Sequence, residues 1–391
     1  DAPAPFAIAD ADLDKRLIVL GEIHGMAVGQ DLDLAMLRML NAKKGIRFYV
    51  GEFDVAQAAS FNAYLADGDE AALRRVFKFW VEEGAQWGNK EFFEKFRRIR
   101  AMNATLPAER QIRFIGVDRV QDMPLMAARL ETLLAKTPPD AWPGHAKLSA
   151  ALSAPDARTA NRAAAPLPQA AVEAARTMPA DAPQGADPAA WPALFETVTA
   201  LSDRALVKGR EATIVAALER LARDPAYANE HFYGFWGQFH VLDAVVSGAK
   251  PMVRLLNEGN SPFKDNILSV NILNVSSDMM IPSKGLPEAM RPKEPSVAFP
   301  YSLDSPLLLN VNGINDLVAA SKGRLTLFKL NGDGSPYPRT SKLGEVGGLM
   351  GMIQPFTVDR SSVGPHGATQ YTVLAKDSPA LTVLTPDLVG P

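Results

Sequence analysis

RLIVLGEIHG, residues 16–25, is the stretch that decides the fold. Leu17 to Gly21 make a largely apolar run of strand length, the pattern of a strand buried on both faces. The run passes straight into Glu22, Ile23, His24 and Gly25. Side chains two apart in a strand point the same way, so Glu22 and His24 share one face while Ile23 packs on the other. A carboxylate and an imidazole at the end of a buried strand are costly unless they are paired or used.

Outward from this stretch, residues 31–42 carry Leu32, Leu34, Ala35, Leu37, Met39 and Leu40 at helical spacing, with Gly45 as the stop. IRFYVGEF, residues 46–53, reads as a second strand ending in Glu52, with Asp54 on the same face. Residues 55–105 are helical in pattern, and IRFIGV, residues 112–117, is a third strand that ends in Asp118 and Arg119. Strand and helices in alternation predict an α/β fold, a mostly parallel central sheet flanked by helices. Open parallel sheets bind ligands outside the carboxyl ends of their strands. Three successive strands with acidic exits therefore predict one polar cleft.

The chain divides by pattern into an N-terminal α/β half (1–122), a helical insertion or lid (123–230) and a C-terminal α/β half (231–391) that completes the sheet. Within the Ala- and Pro-rich middle part, helices are expected near 160–178, 191–207 and 210–224. Residues 229–246, with His231, Trp236, Gln238 and His240, read as a helix. Further strands are expected at 266–275, 307–311, 324–330 and 370–374, all completing the central sheet. GEVGGLMG, residues 344–351, lacks the Lys-Ser/Thr of a phosphate loop and reads as a flexible loop.

The 391 residues suffice for a large core. A net charge of −3 gives no basic field for nucleic acid. The chain has no cysteine, which removes disulfides, thiol nucleophiles and thiolate metal sites. No apolar run is long enough for an integral membrane segment. The start DAPAPF, without methionine, reads as the processed end of an exported bacterial protein, periplasmic or secreted, with a cloned start of a cytoplasmic chain as the alternative.

LGEIHG, GEFD, WGNKEFFEKFRRIRAMNATLPAERQIRFIGVD and FWGQFHVL together resemble the erythromycin-esterase-like proteins. These belong to a superfamily with the ChaN-type haem-binding proteins and the TIKI proteases. The resemblance fills the family's positions with Glu22 and His24, Glu52, Arg100 and Asn103, Gly116 and Asp118, and His240. FNAYLADGD, residues 61–69, fits its Asn-x-Tyr segment. It implies hydrolysis of an ester, lactone or amide in a small-molecule substrate. The single residue between Glu22 and His24 is nearer the ChaN-type spacing, which implies haem or small-ligand binding as the alternative.

His24 is the expected general base, because a cleft imidazole can take a proton from water near neutral pH. Glu22 or Glu52 would orient it, as the third member of a triad does. His240 would polarise the carbonyl or protonate the leaving group. Arg119 or Arg100 would offset the acids or stabilise an oxyanion. Arg100, Asp118, Arg119, Trp236 and Gln238 form the supporting set. No Gly-x-Ser-x-Gly elbow is present, so attack by activated water is the expected mechanism, without a cofactor. The metal alternative is a divalent ion on Glu22, His24, Glu52 and His240, as in a TIKI-like peptidase.

Overall fold

The computed structural model describes residues 6–338, 340, 342–353 and 356–385. Its strands are β1 (Leu17–Glu22), β2 (Phe48–Gly51), β3 (Arg113–Gly116), β4 (Phe232–Gly237), β5 (Ile267–Val275), β6 (Ser277–Pro282), β7 (Ser296–Tyr301), β8 (Asp304–Ser305), β9 (Leu309–Val311), β10 (Leu325–Lys329), β11 (Val346–Gly347) and β12 (Tyr371–Lys376). A seven-stranded, mostly parallel sheet runs in the order β10-β12-β5-β1-β4-β2-β3. The fold is α/β, as the strand-helix alternation predicts.

The α-helices up to residue 223 are α1 (Asp10–Leu13), α2 (Ala27–Lys44), α3 (Val55–Asp67), α4 (Glu70–Glu83), α5 (Lys90–Asn103), α6 (Met123–Leu134), α7 (Pro143–Leu152), α8 (Pro166–Ala175), α9 (Trp191–Leu206) and α10 (Arg210–Arg223). By internal contacts the chain groups into two units. One is Asp1–Tyr49, Ala63–Arg113 and Leu221–Pro391; the other is Val50–Asn62 and Phe114–Arg220. Among the described residues no helix is long and apolar enough to cross a membrane.

In the first unit β1 lies between two parallel partners. Gly21 stands opposite both Trp236 of β4 and Asn271 of β5, and Glu22 stands opposite Gly237. Every residue of β1 is buried, which is why LIVL needs no polar alternation. Each such aliphatic side chain contributes roughly 2 kcal/mol by leaving water. α2 begins four residues earlier than the apolar spacing suggests. Met26 offers it no capping side chain. Val28 N–H donates instead to Ser378 Oγ (3.1 Å) and Ala27 N–H to the Pro379 carbonyl (2.9 Å), so a distant segment caps the helix. Ser378→Ala is expected to cost about 1 kcal/mol in urea unfolding, the ordinary cost of a lost N-cap.

The structure corrects several expectations. Residues 229–246 are not a helix: Phe232–Gly237 is the central strand β4, followed by a 3-10 turn, Gln238–Val241. Aromatics at 232, 235, 236 and 239 imitate helical spacing. All six residues of β4 are nevertheless buried, and such a run, rich in aromatics and glycine, suits a strand covered on both faces. Residues 307–311 do not join the central sheet. Leu307 is 84% exposed, and only the short β9 forms, in a separate sheet with β8 and β11. Val311 packs beneath it against Leu273 and Leu374. Residues 344–351 are not a loop but contain β11 and the start of a helix, Gly348–Ile353.

Candidate active site

Glu22 ends β1, and His24 follows in the turn. The His24 Nδ1 stands 3.0 Å from Glu22 Oε1. The Glu22 side chain is 2% exposed and the His24 side chain 31%, so the carboxylate is walled in while the imidazole reaches solvent. An ionised carboxylate only accepts hydrogen bonds, so Nδ1–H donates and the basic lone pair lies on Nε2. The Trp87 ring meets the imidazole edge-on at 4.5 Å and fixes its plane. The turn itself is held by the Gly25 carbonyl, which accepts from Met280 N–H (2.8 Å) and Leu381 N–H (2.9 Å).

Glu22 is gripped from behind by the first turn of α2. A Cβ at Gly29 would overlap Glu22 Oε2 and lie 3.1 Å from Phe235 Cζ. Only glycine lets the helix approach the carboxylate this closely. The N-terminal end of a helix also favours a negative charge, by about 0.3–1 kcal/mol at exposed sites.

His240 comes from the 3-10 turn after β4 and is buried, with its ring 5.9 Å from that of Trp236 and 5.8 Å from that of Phe239. This turn packs on β1, β4 and β5. Gly21 makes that possible, since a Cβ there would overlap Val241 Cγ2. Gln238 opens the turn, half-buried. Arg100 lies on the last turn of α5 with its guanidinium 5.9 Å over the Tyr64 ring.

Beneath Glu22, on the same face of the sheet, lies a buried polar cluster. Lys95 Nζ donates to Gln30 Oε1 (2.7 Å) and to Asp33. Asp33 also accepts from the Tyr49 and Tyr233 hydroxyls, each at 2.8 Å. Burial pulls the Lys95 ammonium below its ordinary range, against the attraction of Asp33 and Glu22. Burial and the neighbouring Asp33 charge push the Tyr233 phenol well above its own.

Glu52, Asp118 and Arg119 belong to the second unit. Arg210 Nη2 donates to Glu52 Oε2 and to Asp118 Oδ2, both at 2.6 Å, and its Nε reaches Asp118 Oδ2 at 3.0 Å. Burial opposes the Arg210 charge, but the bonds and charges of Asp118 and Glu52 outweigh it and hold the guanidinium above its ordinary value. Gln121 Nε2 ties the cluster down, donating to Asp118 Oδ2 and to the Glu52 carbonyl at 3.0 Å each. Arg119 is exposed, and its N–H donates to Asp118 Oδ1 (2.7 Å). The cation in this cluster is thus Arg210, which the sequence pattern does not single out. No group of three or more His, Asp or Glu among the described residues is arranged to hold a metal ion.

Asp54 is not a strand-end acid sharing a face with Glu52. β2 stops at Gly51, and Asp54 Oδ1 accepts from the N–H groups of Ala56 and Gln57 as α3 begins. Its Oδ2 accepts from the N–H groups of Gln121 and Asp122. Full burial outweighs these four donors and pushes the carboxyl up to about 6. A folded value above the unfolded one means stability that is present below about pH 4 and lost as pH rises through about 6. A rise from 3.8 to about 6 corresponds to at most about 3 kcal/mol. The stability difference between wild type and Asp54→Asn is therefore expected to shift in favour of the variant between pH 4.5 and 7.5. Urea unfolding at both values checks it.

No family model matches the chain, and no curated protein sequence matches it. Solved structures do. A Bacillus cereus protein superposes with a TM-score of 0.66 at 12% identity, over 96% of this chain and 92% of its own. A succinoglycan biosynthesis protein gives 0.64 at 12%, over 96% and 91%. A histidine-to-asparagine mutant of erythromycin esterase EreC, in its open conformation, gives 0.60 at 13%, over 93% and 91%. The fold is theirs. At these identities the likeness extends to the architecture alone.

Proposed function

We propose that the chain is a hydrolase of the erythromycin-esterase-like kind, cleaving an ester, lactone or amide bond with water activated by His24. One observation carries the reading: the 3.0 Å bond from His24 Nδ1–H to the buried Glu22 carboxylate, at the end of β1. That bond sets the tautomer and directs the basic Nε2 outward. Water gives its proton to Nε2 as its oxygen attacks the carbonyl carbon. The carbonyl electron pair moves to oxygen, and its return expels the alkoxide or amine. The imidazolium then returns the proton to the leaving group. Glu22 stabilises the imidazolium while it exists. His240 polarises the carbonyl or assists the leaving group. The fold shared with erythromycin esterase EreC supports this class of reaction.

A panel of small esters, lactones and amides tests the reading, with wild type and His24→Ala side by side. Hydrolysis by wild type that survives dialysis against a chelator and is lost in the variant is expected. Equal rates in the two proteins, or no hydrolysis of any member, would overturn it.

A further inference from the structure

Lys95 is a lysine on the apolar face of α5, between Phe92, Phe96 and Ile99, and it is 1% exposed. Its surroundings are those of a cation. Nζ donates to the Gln30 carbonyl oxygen and the Asp33 carboxylate, and lies 4.3 Å from the centre of the Phe92 ring and 4.9 Å from that of Phe235. A buried ion pair is weak support for stability, because a hydrophobic pair of similar volume often does as well. Asp33 already has two tyrosine hydroxyls to satisfy it. The placement of Lys95 says more. Gly29 and Gln30 are consecutive on α2: the first abuts Glu22 Oε2, and the second accepts from Lys95. Phe235 lies beside Gly29 and Lys95, its Cζ near the first and its ring against the ammonium of the second. The Glu22 charge attracts the ammonium, after that of Asp33.

We propose that Lys95 is a positioning residue of the Glu22–His24 pair, its buried ammonium supplying the counter-charge that keeps Glu22 a carboxylate accepting from His24 Nδ1–H. This rests on the hydrolase reading for its catalytic meaning, though not for its geometry. Glu22 and Asp33 place two negative charges behind a neutral imidazole, and Lys95 offsets one of them. Without it, Glu22 takes up a proton or turns away, and the imidazole is no longer held with its proton on Nδ1.

The test is the tautomer of His24, read by long-range 15N–1H NMR on the full chain at the lowest pH at which the ring is neutral, where the Lys95 ammonium is retained. Wild type is expected to carry the proton on Nδ1. Lys95→Met removes the cation alone. Lys95→Met with Asp33→Asn removes one charge of each sign and leaves the net charge behind the ring as in wild type, which also spares Asp33 the loss of its buried partner. In folded Lys95→Met the His24 signal is expected to move toward the Nε2–H form and kcat to fall about tenfold or more, whereas in the double variant the proton is expected to stay on Nδ1. A folded Lys95→Met with the wild-type tautomer, a double variant in the Nε2–H form, or a wild type already in the Nε2–H form overturns the proposal. The tautomer needs no substrate, so a chain without hydrolytic activity would defeat the hydrolase reading and leave this result to stand or fall separately.

Discussion

His24→Ala is expected to lower kcat about 1,000-fold or more on any ester or lactone the wild type hydrolyses, with a stability cost of about 1–3 kcal/mol for the hydrogen bond taken from the buried Glu22 carboxylate. Removing a positioned general base costs about 10²–10⁴ in rate. The imidazole is partly exposed and packs edge-on against Trp87, so its loss opens no cavity in the core. Glu22→Gln belongs beside it. The carboxamide keeps the shape of the carboxylate but loses its charge and presents an N–H₂ that can face Nδ1. The ring is then free to take the wrong tautomer, and a loss of about 100-fold or more is expected. Steady-state kinetics with circular dichroism as the folding control check both variants.

Gly29→Ala carries the second large effect, and it reaches the site from outside. The new methyl would overlap Glu22 Oε2 and crowd Phe235. Glu22 is held on its other side by His24, so either the carboxylate leaves its bond or the first turn of α2 shifts. We expect kcat to fall about 100-fold. The stability cost is expected to be about 1–3 kcal/mol, the range for overpacking a dense interior. A general effect on the fold would lower stability and leave the activity of the remaining folded protein intact. Loss of kcat per folded molecule separates the two. Gly29→Ala combined with Glu22→Asp, which withdraws the carboxylate by one methylene, should recover part of the stability but not the rate.

Much of this arrangement is legible in the chain. The run LIVL marks β1 as buried on both sides, and the sheet bears that out; period two brings Glu22 and His24 together, and the two meet at 3.0 Å although His24 lies in the turn beyond the strand. The helical spacing of residues 31–42 survives in α2. What fails does so for physical reasons. The aromatics of 232–239 satisfy helical and strand periods alike, and only burial on both faces decides between them. Asp54 looks like a second strand-end acid because sequence does not say that β2 stops at Gly51 and the chain turns into α3. Arg210 is invisible as a partner because its carboxylates lie 158 and 92 residues earlier. The order of the chain points instead to Arg119, the nearest basic residue, which proves exposed. Lys95 did leave a trace. In KEFFEKFRRIR the apolar stripe of Phe92, Phe96 and Ile99 runs through it, and a lysine on such a stripe must find a buried partner. The identity of that partner, Asp33 on another helix, is a tertiary fact.

The central claim is that a water molecule, deprotonated by His24, attacks the carbonyl directly. A single turnover in 18O-labelled water tests it most directly, with enzyme in excess over an ester or lactone that it cleaves. The account predicts that the acid product carries one 18O atom and that the quenched enzyme keeps its unmodified mass throughout. An acyl adduct on the enzyme, or a product acid without the label, would contradict it.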